Sequence, residues 1–303
     1  MWKTNTFVLI LLLAIGCSEA KILVSIPDLK NIAEKISDEK VESIIPSSVD
    51  PHYISISYQE LRKVENAKIV LLANSELIGF EAEIKNVCGD KCLDFKEYNA
   101  TLLDFRGIGY NPHAYWLLPE NALKIALTLK NKLIELHPDK SEEYDRNYEN
   151  FRKEMENAKI FAKEIVSKVQ DYDFIAMDPH VAYAISAVQL QVSMAFPEDL
   201  TLSMHEIGEV KESKCVLVIA EYHEKTKLEE IAKQIALEKK CKISKVKILS
   251  NMSPEAQLIS NSVLLANPNY PNSEDLGLFY LISIIAVAEA IALVVLWQSK
   301  RKI

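Results

Sequence analysis

Six histidines occur in the 303 residues, and three of them stand in one small pattern: His52 in "VDPHYI", His113 in "YNPHAY" and His180 in "MDPHVA". Proline supplies only about 5% of an average chain, so its place before half of the histidines points to a shared task. Proline fixes its own φ and biases the residue before it to extended backbone, so each imidazole leaves its segment in a preset direction. Neutral imidazole is the commonest metal ligand, and a neighbouring Asp or Asn could orient its second nitrogen. These residue types point to three loops converging on a transition-metal ion. His137 precedes Pro138 at the expected end of a helix, where a cation meets the helix dipole. His205 and His223 lack the elbow.

Other chemistries lack their carriers. No G-x-G-x-x-G, P-loop or G-x-S-x-G occurs, so nucleotide binding and serine hydrolysis have no motif to rest on. The net charge is −8; the first 20 residues are neutral and residues 276–303 carry +2, which leaves −10 on residues 21–275. An acidic body argues against nucleic-acid binding and suits cations. Beyond Cys17 there are four cysteines, Cys88 and Cys92 in "VCGDKC", then Cys215 and Cys241. An even number in an oxidising compartment most simply makes two disulfides, and the most local pairing is Cys88 with Cys92 and Cys215 with Cys241. A zinc site at Cys88 and Cys92 would need a second close pair that the chain does not have. Asn99 and Asn251 begin N-x-Ser/Thr sequons, compatible with placement outside the cell.

The elements that must position the histidines alternate. "KILVSI" and a helix over 28–36, "YISIS" and "YQELRKVENA", then "KIVLLA" read as an α/β lobe over 21–138. Pro119 takes the first position of the helix "ENALKIALTLKNKLIEL". Between Ser141 and Gln170 there is no Pro or Gly, and apolar residues recur every three or four positions, which predicts one amphipathic helix of about 45 Å. With its flanks it makes a connecting segment over 139–170. The alternation resumes with "DFIAM", "VAYAISAVQL", "QVSMAF", "CVLVIAE", "KTKLEEIAKQIALEK", "KVKIL" and "PEAQLISNSVLLA", a second α/β lobe over 171–266.

The two ends differ from the body. Residues 1–20 carry Lys3, an apolar run and a Ser18-x-Ala20 pattern, and read as a secretory signal, with a lipid-modified Cys17 as the rival reading. A linker over 267–275 leads to "LGLFYLISIIAVAEAIALVVLW", a transmembrane helix over 276–297, and a basic cytoplasmic tail over 298–303. The expectation is a single-pass membrane protein with its body outside the cell. Glu289 within the span would meet a partner helix or water, or stand as a tolerated acid.

The mature start "KILVSIPDLKNIAEKI", then "VDPHYISISYQELRKVENAKIVLLA" and "NPHAYWLLPENALKIALTLKNKLIEL", with the long helix after them, resemble the TroA-like, helical-backbone family, the extracytoplasmic metal receptors of zinc, manganese and iron ABC transporters. The resemblance covers most of residues 21–266. It implies two α/β lobes joined by a rigid backbone helix with a metal cleft between them, and little hinge motion on binding. It implies His52 and His113 as the ligands of the first lobe, with Asn111 where the family carries Asp. Family register, five residues before Tyr183, gives Asp178 as the third ligand, whereas the recurring elbow favours His180; both stay open. The family's last acid falls at Asn251, and Glu221 matches a strand-end Glu.

The expected function is capture of a divalent metal, zinc or manganese with iron a third candidate, and delivery to an ABC permease and its ATPase. The ectodomain is expected to be monomeric, without nucleic acid and without enzymatic activity. Two histidines with oxygens would suit manganese or iron as well as zinc, and three would favour zinc. Affinity should fall below about pH 6 as imidazoles protonate. Two rival readings are an anchored adhesive protein whose metal site has degenerated, motivated by Asn251, and a surface metallohydrolase using Glu221 or Asp178 as base.

Overall fold

The computed structural model describes residues 22–47, 49–198, 208, 212 and 214–271. Four parallel strands, β1 (Ile22–Val24), β2 (Val41–Ser43), β3 (Ile69–Leu71) and β4 (Cys92–Leu93), form one sheet in the order β2-β1-β3-β4. A short antiparallel hairpin of β5 (Asp104–Phe105) and β6 (Gly109–Tyr110) follows. The second sheet is again parallel: β7 (Asp173–Ala176), β8 (Val192–Ala195), β9 (Cys215–Ala220) and β10 (Lys242–Val246) lie in the order β10-β9-β7-β8. Counted from its own first strand, each sheet has the same 2-1-3-4 order, so one topology is used twice. In such sheets the chain leaves the first strand toward both sides, and the crevice at the strand ends is where ligands bind.

Parallel sheets are covered on both faces, and the strands read accordingly. Every residue of β1, β3 and β9 is buried. Along β9 the side chains alternate: Val216, Val218 and Ala220 join the main core, while Cys215, Leu217 and Ile219 join a second cluster on the outer face. The main core is continuous from Ile22 in the first sheet to Val246 in the second, so the lobes share apolar packing.

The helices are α1 (Pro27–Ala33), α2 (Tyr58–Asn66), α3 (Gly79–Cys88), α4 (Pro119–Leu136), α5 (Ser141–Val166), α6 (Pro179–Ala187), α7 (Lys227–Lys239) and α8 (Pro254–Ala266). Ser57 and Glu60 form a reciprocal capping box at the start of α2. Helix α5 buries Tyr144, Phe151, Met155, Ala158, Ala162 and Val166 along one face, packs against α4 and α8, and spans about 39 Å. It stops short of the expected Gln170, because the chain tightens into a 3-10 turn over Ser167–Val169 before β7.

Two strand expectations shift. "YISIS" is not a strand: Tyr53 ends a 3-10 turn, and the next residues lead extended into the Ser57 cap. The strand of that region is β2, whose single apolar residue Val41 left no periodic signal. The last strand covers "KISKV" instead of "KVKIL". The expected disulfides are present as Cys88–Cys92 and Cys215–Cys241.

The lobes meet along a polar seam at α1 and the turn that follows it. Asn31 donates to the Ser250 carbonyl at 2.8 Å, and Lys35 pairs with Glu255 of α8 at 2.5 Å and Glu154 of α5 at 2.7 Å. Asp28 is 3% exposed, with both carboxyl oxygens buried. Gly107 lies against the Ala195 backbone with φ +103°, where a Cβ would collide with the Ala195 carbonyl, and the Arg106 carbonyl accepts from the Ala195 amide at 2.9 Å. The hairpin of one lobe thus touches β8 of the other. Among the described residues no helix is long and apolar enough to cross a membrane. The expected signal over 1–20, the span over 276–297 with Glu289, and His205 all lie outside the described residues.

Candidate metal centre

All three Asx-Pro-His elbows are Asx turns. Asp50 Oδ1 accepts from the His52 amide at 2.9 Å, Asn111 Oδ1 from the His113 amide at 3.0 Å, and Asp178 Oδ1 from the His180 amide at 2.8 Å. Asp and Asn side chains make this bond two residues on, and the intervening proline removes the one amide that would compete. His52 follows on a 3-10 turn, Pro51–Tyr53. His113 precedes the left-handed Ala114 and the 3-10 turn Tyr115–Leu117. His180 lies in the first turn of α6, just beyond the end of β7 and so at the crevice of the second sheet.

The three imidazoles converge. One ligand atom from each of His52, His113 and His180 lies within 4.8 Å of the others, and the ring centroids are 4.9 to 5.7 Å apart. Ligands on tetrahedral zinc stand about 3.3 Å apart with bonds of about 2.0 Å, so a contraction of up to about 1.5 Å between ligand atoms would seat an ion. His113 Nδ1 is 2.9 Å from Asn111 Oδ1 and His180 Nδ1 is 3.3 Å from Asp178 Oδ1. These contacts hold Nδ1 in each ring and leave Nε2 for the centre. The Nε2 atoms of His52 and His113 are buried without a hydrogen-bond partner.

Glu198, in the loop after β8, faces the same point. Its carboxylate is 3.9 Å from His52 Nε2 and 3.6 Å from His113 Nε2, and with Asp50 and His52 it forms an overlapping metal-binding group. The His113 imidazole beside it holds its carboxyl below the usual carboxylate range. Burial lowers the His52 imidazole, which favours the neutral form a metal needs.

Asp178 stands behind the group, not in it. Its Oδ1 caps α6 through the His180 and Val181 amides, and its Oδ2 is 3.4 Å from His223 Nε2. Burial would raise its carboxyl, but His180 and His223 beside it hold it well below the usual range. Burial would likewise lower His180, and the contact with Asp178 outweighs that and raises it. Between the two candidates for the third position, the structure therefore brings His180 to His52 and His113 and makes Asp178 its support. His137 pairs with Glu39 at 3.8 Å, away from the centre. Asn251 donates to Ser47 Oγ at 3.0 Å, and Glu221 opens the 3-10 turn Glu221–His223; neither belongs to a metal-binding group of the described residues. Glu198 carried no sequence signal, since it stands in "AFPEDL" without a histidine or a recurring pattern.

Residues 22–261 match the family described as zinc-uptake complex component A, periplasmic. Among solved structures, ZnuA matches with a TM-score of 0.65 and 24% identity over 82% of this chain and 98% of that one. The solute-binding protein FpvC of Pseudomonas aeruginosa, in complex with Mn2+, has a TM-score of 0.66 and 16% identity over 82% and 97% of the two chains. A periplasmic metal-binding protein of Candidatus Liberibacter asiaticus has a TM-score of 0.64 and 15% identity over 80% and 97%. No curated protein matches the chain.

Proposed function

The chain belongs to the family of zinc-uptake complex component A, periplasmic, whose members are metal-binding transport proteins and not enzymes, and on that premise we propose that it captures a zinc ion between its lobes for delivery to an ABC permease and its ATPase. His52 and His113 bind from the first lobe, and His180 and Glu198 from the second. The observation that carries this reading is the convergence of three imidazoles on one point with a carboxylate facing them. Three nitrogens and one oxygen are the donor set of a four-coordinate zinc site, whereas manganese and iron prefer more oxygen. Glu198 takes the place of the acid missing at Asn251, so the donor count is kept and the degenerate-site reading loses its motive.

The lobes are taken as 21–138 and 171–266, joined through 139–170, with α5 as the stiff member. A secretory signal over 1–20 would bring the body outside, and the apolar segment 276–297 would tether it at the membrane. Tethering would raise its effective concentration at the permease. The test is metal analysis of the full-length protein after dialysis against zinc and manganese, wild type beside His52→Ala with His113→Ala. One zinc retained per chain, and none in the double variant, is the expected result; a wild type that retains no metal would refute the receptor reading.

A further inference from the structure

Asn111 is the only residue among the described ones whose side chain joins the backbones of two histidine elbows. It is 1% exposed. Its Oδ1 accepts from the His113 amide at 3.0 Å and lies 2.9 Å from His113 Nδ1. Its Nδ2 donates to the carbonyl of Pro179 at 2.7 Å, one residue before His180 and in the other lobe. Its own carbonyl accepts from the Tyr183 hydroxyl of α6 at 2.7 Å, and that hydroxyl accepts in turn from the Leu103 amide at 3.0 Å. Side chain and main chain of one residue thus hold the first-lobe elbow to both the entry and the second turn of α6.

The residue type decides what this arrangement can do. A carboxamide offers an acceptor and a donor from one planar group, whereas an ionised carboxylate only accepts. Aspartate here would keep the contact with His113 and give it a more basic partner. It would also set a negative oxygen against the Pro179 carbonyl, in a site too buried for water to screen the repulsion. Asp50 and Asp178 make the same Asx turn with a carboxylate, and neither reaches across the seam through its side chain to another backbone carbonyl.

We propose that Asn111 is a positioning residue that clamps the His113 elbow to the His180 elbow, so that the backbones of the two elbows are held together before metal arrives and the lobes do not part along this seam. The inference rests on the receptor reading for its purpose, but the clamp itself is a property of the metal-free protein.

The experiment is a spin-label distance measurement across the lobes in the full-length protein, with labels at Gln59→Cys on α2 and Glu238→Cys on α7, both exposed. It is made with and without zinc, in the Asn111 background and in Asn111→Asp and Asn111→Ala. With Asn111 the distance distribution is expected to be narrow and the same in both states. In Asn111→Asp it should broaden and lengthen without zinc and return when zinc is added. Zinc affinity should fall in that variant because part of the binding free energy goes to closing the parted elbows. In Asn111→Ala both the clamp and the imidazole support go, so the fall in affinity should be larger. A role confined to general stability would lower the unfolding temperature in both variants and leave the metal-dependent distance unmoved, which would overturn the proposal. A metal-free Asn111 protein as broad as the Asp variant would overturn it equally. Failure of all forms to bind zinc would sink the receptor reading instead, and the metal-free distances would still decide the clamp.

Discussion

Asp50, Asn111 and Asp178 each take the amide hydrogen of the histidine two residues on, and that local bond accounts for the recurrence of histidine behind an Asx-Pro pair. The pattern was legible because its cause lies within three residues. The choice between Asp178 and His180 was not, because it depends on which side chain α6 turns toward the first lobe. The two residues should respond differently. His180→Ala removes a direct donor and is expected to cost more zinc affinity than the about 10- to 100-fold that loss of an outer partner costs, whereas Asp178→Asn should fall within that range. Calorimetric titration checks the order, and an Asp178 variant weaker than the His180 variant would reverse the assignment. Glu198 was invisible in the sequence because a lone acid after a strand is common; only the fold brings it to His52 and His113.

Long periodic segments were read well and short ones poorly. Helices α4 and α5 and strand β9 follow from apolar spacing over many residues, while β2, with one buried apolar residue in three, follows only from its pairing with β1. The hairpin β5–β6 depends on Gly107, whose left-handed backbone and close approach to Ala195 exclude any Cβ. Gly107→Ala is expected to lower stability by about 1–3 kcal/mol through overpacking, read as a lower denaturation midpoint; an unchanged midpoint would show that the hairpin does not bear on β8. The disulfides, legible from count and proximity in sequence, differ in the loops they close. Cys215 and Cys241 are 26 residues apart and Cys88 and Cys92 only 4, so the chain-entropy relation gives about 3.5 and about 2 kcal/mol. Replacing the first pair by alanine should therefore cost more than replacing the second, as equilibrium unfolding would show.

One topology used twice leaves the lobes with equivalent turns, and Asp28 follows Pro27 at the start of α1 as His180 follows Pro179 at the start of α6. The repeat could not be read from the sequence because the two turns share little beyond the proline. His180 faces His52 and His113; Asp28 is sealed in the interlobe seam, beside a cavity of ≈ 20 Å³ lined by Trp116, Met155, Gln257 and Asn261. Burial raises its carboxyl to about 7, against the pull of Gln257 and the backbone at Leu249 and Ser250. The folded chain therefore keeps a proton that the unfolded chain releases near pH 4. Its contribution is most favourable below about pH 4, is lost as pH rises from 4 to 7, and is flat above, a swing on the order of 4 kcal/mol at most. Glu81, buried and also raised to about 7, acts with the same sign. Asp28→Asn should thus match the wild type near pH 4 and exceed it in stability at pH 8, by equilibrium unfolding; a constant difference across that range would exclude a titrating Asp28. The central claim is that both lobes supply imidazole to one ion. It is tested most directly by X-ray absorption at the zinc edge on the zinc-loaded full-length protein, wild type beside His180→Ala. The account predicts three imidazoles and one oxygen at about 2.0 Å in the wild type and two imidazoles in the variant, whereas a wild-type shell of two imidazoles, unchanged in His180→Ala, would contradict it.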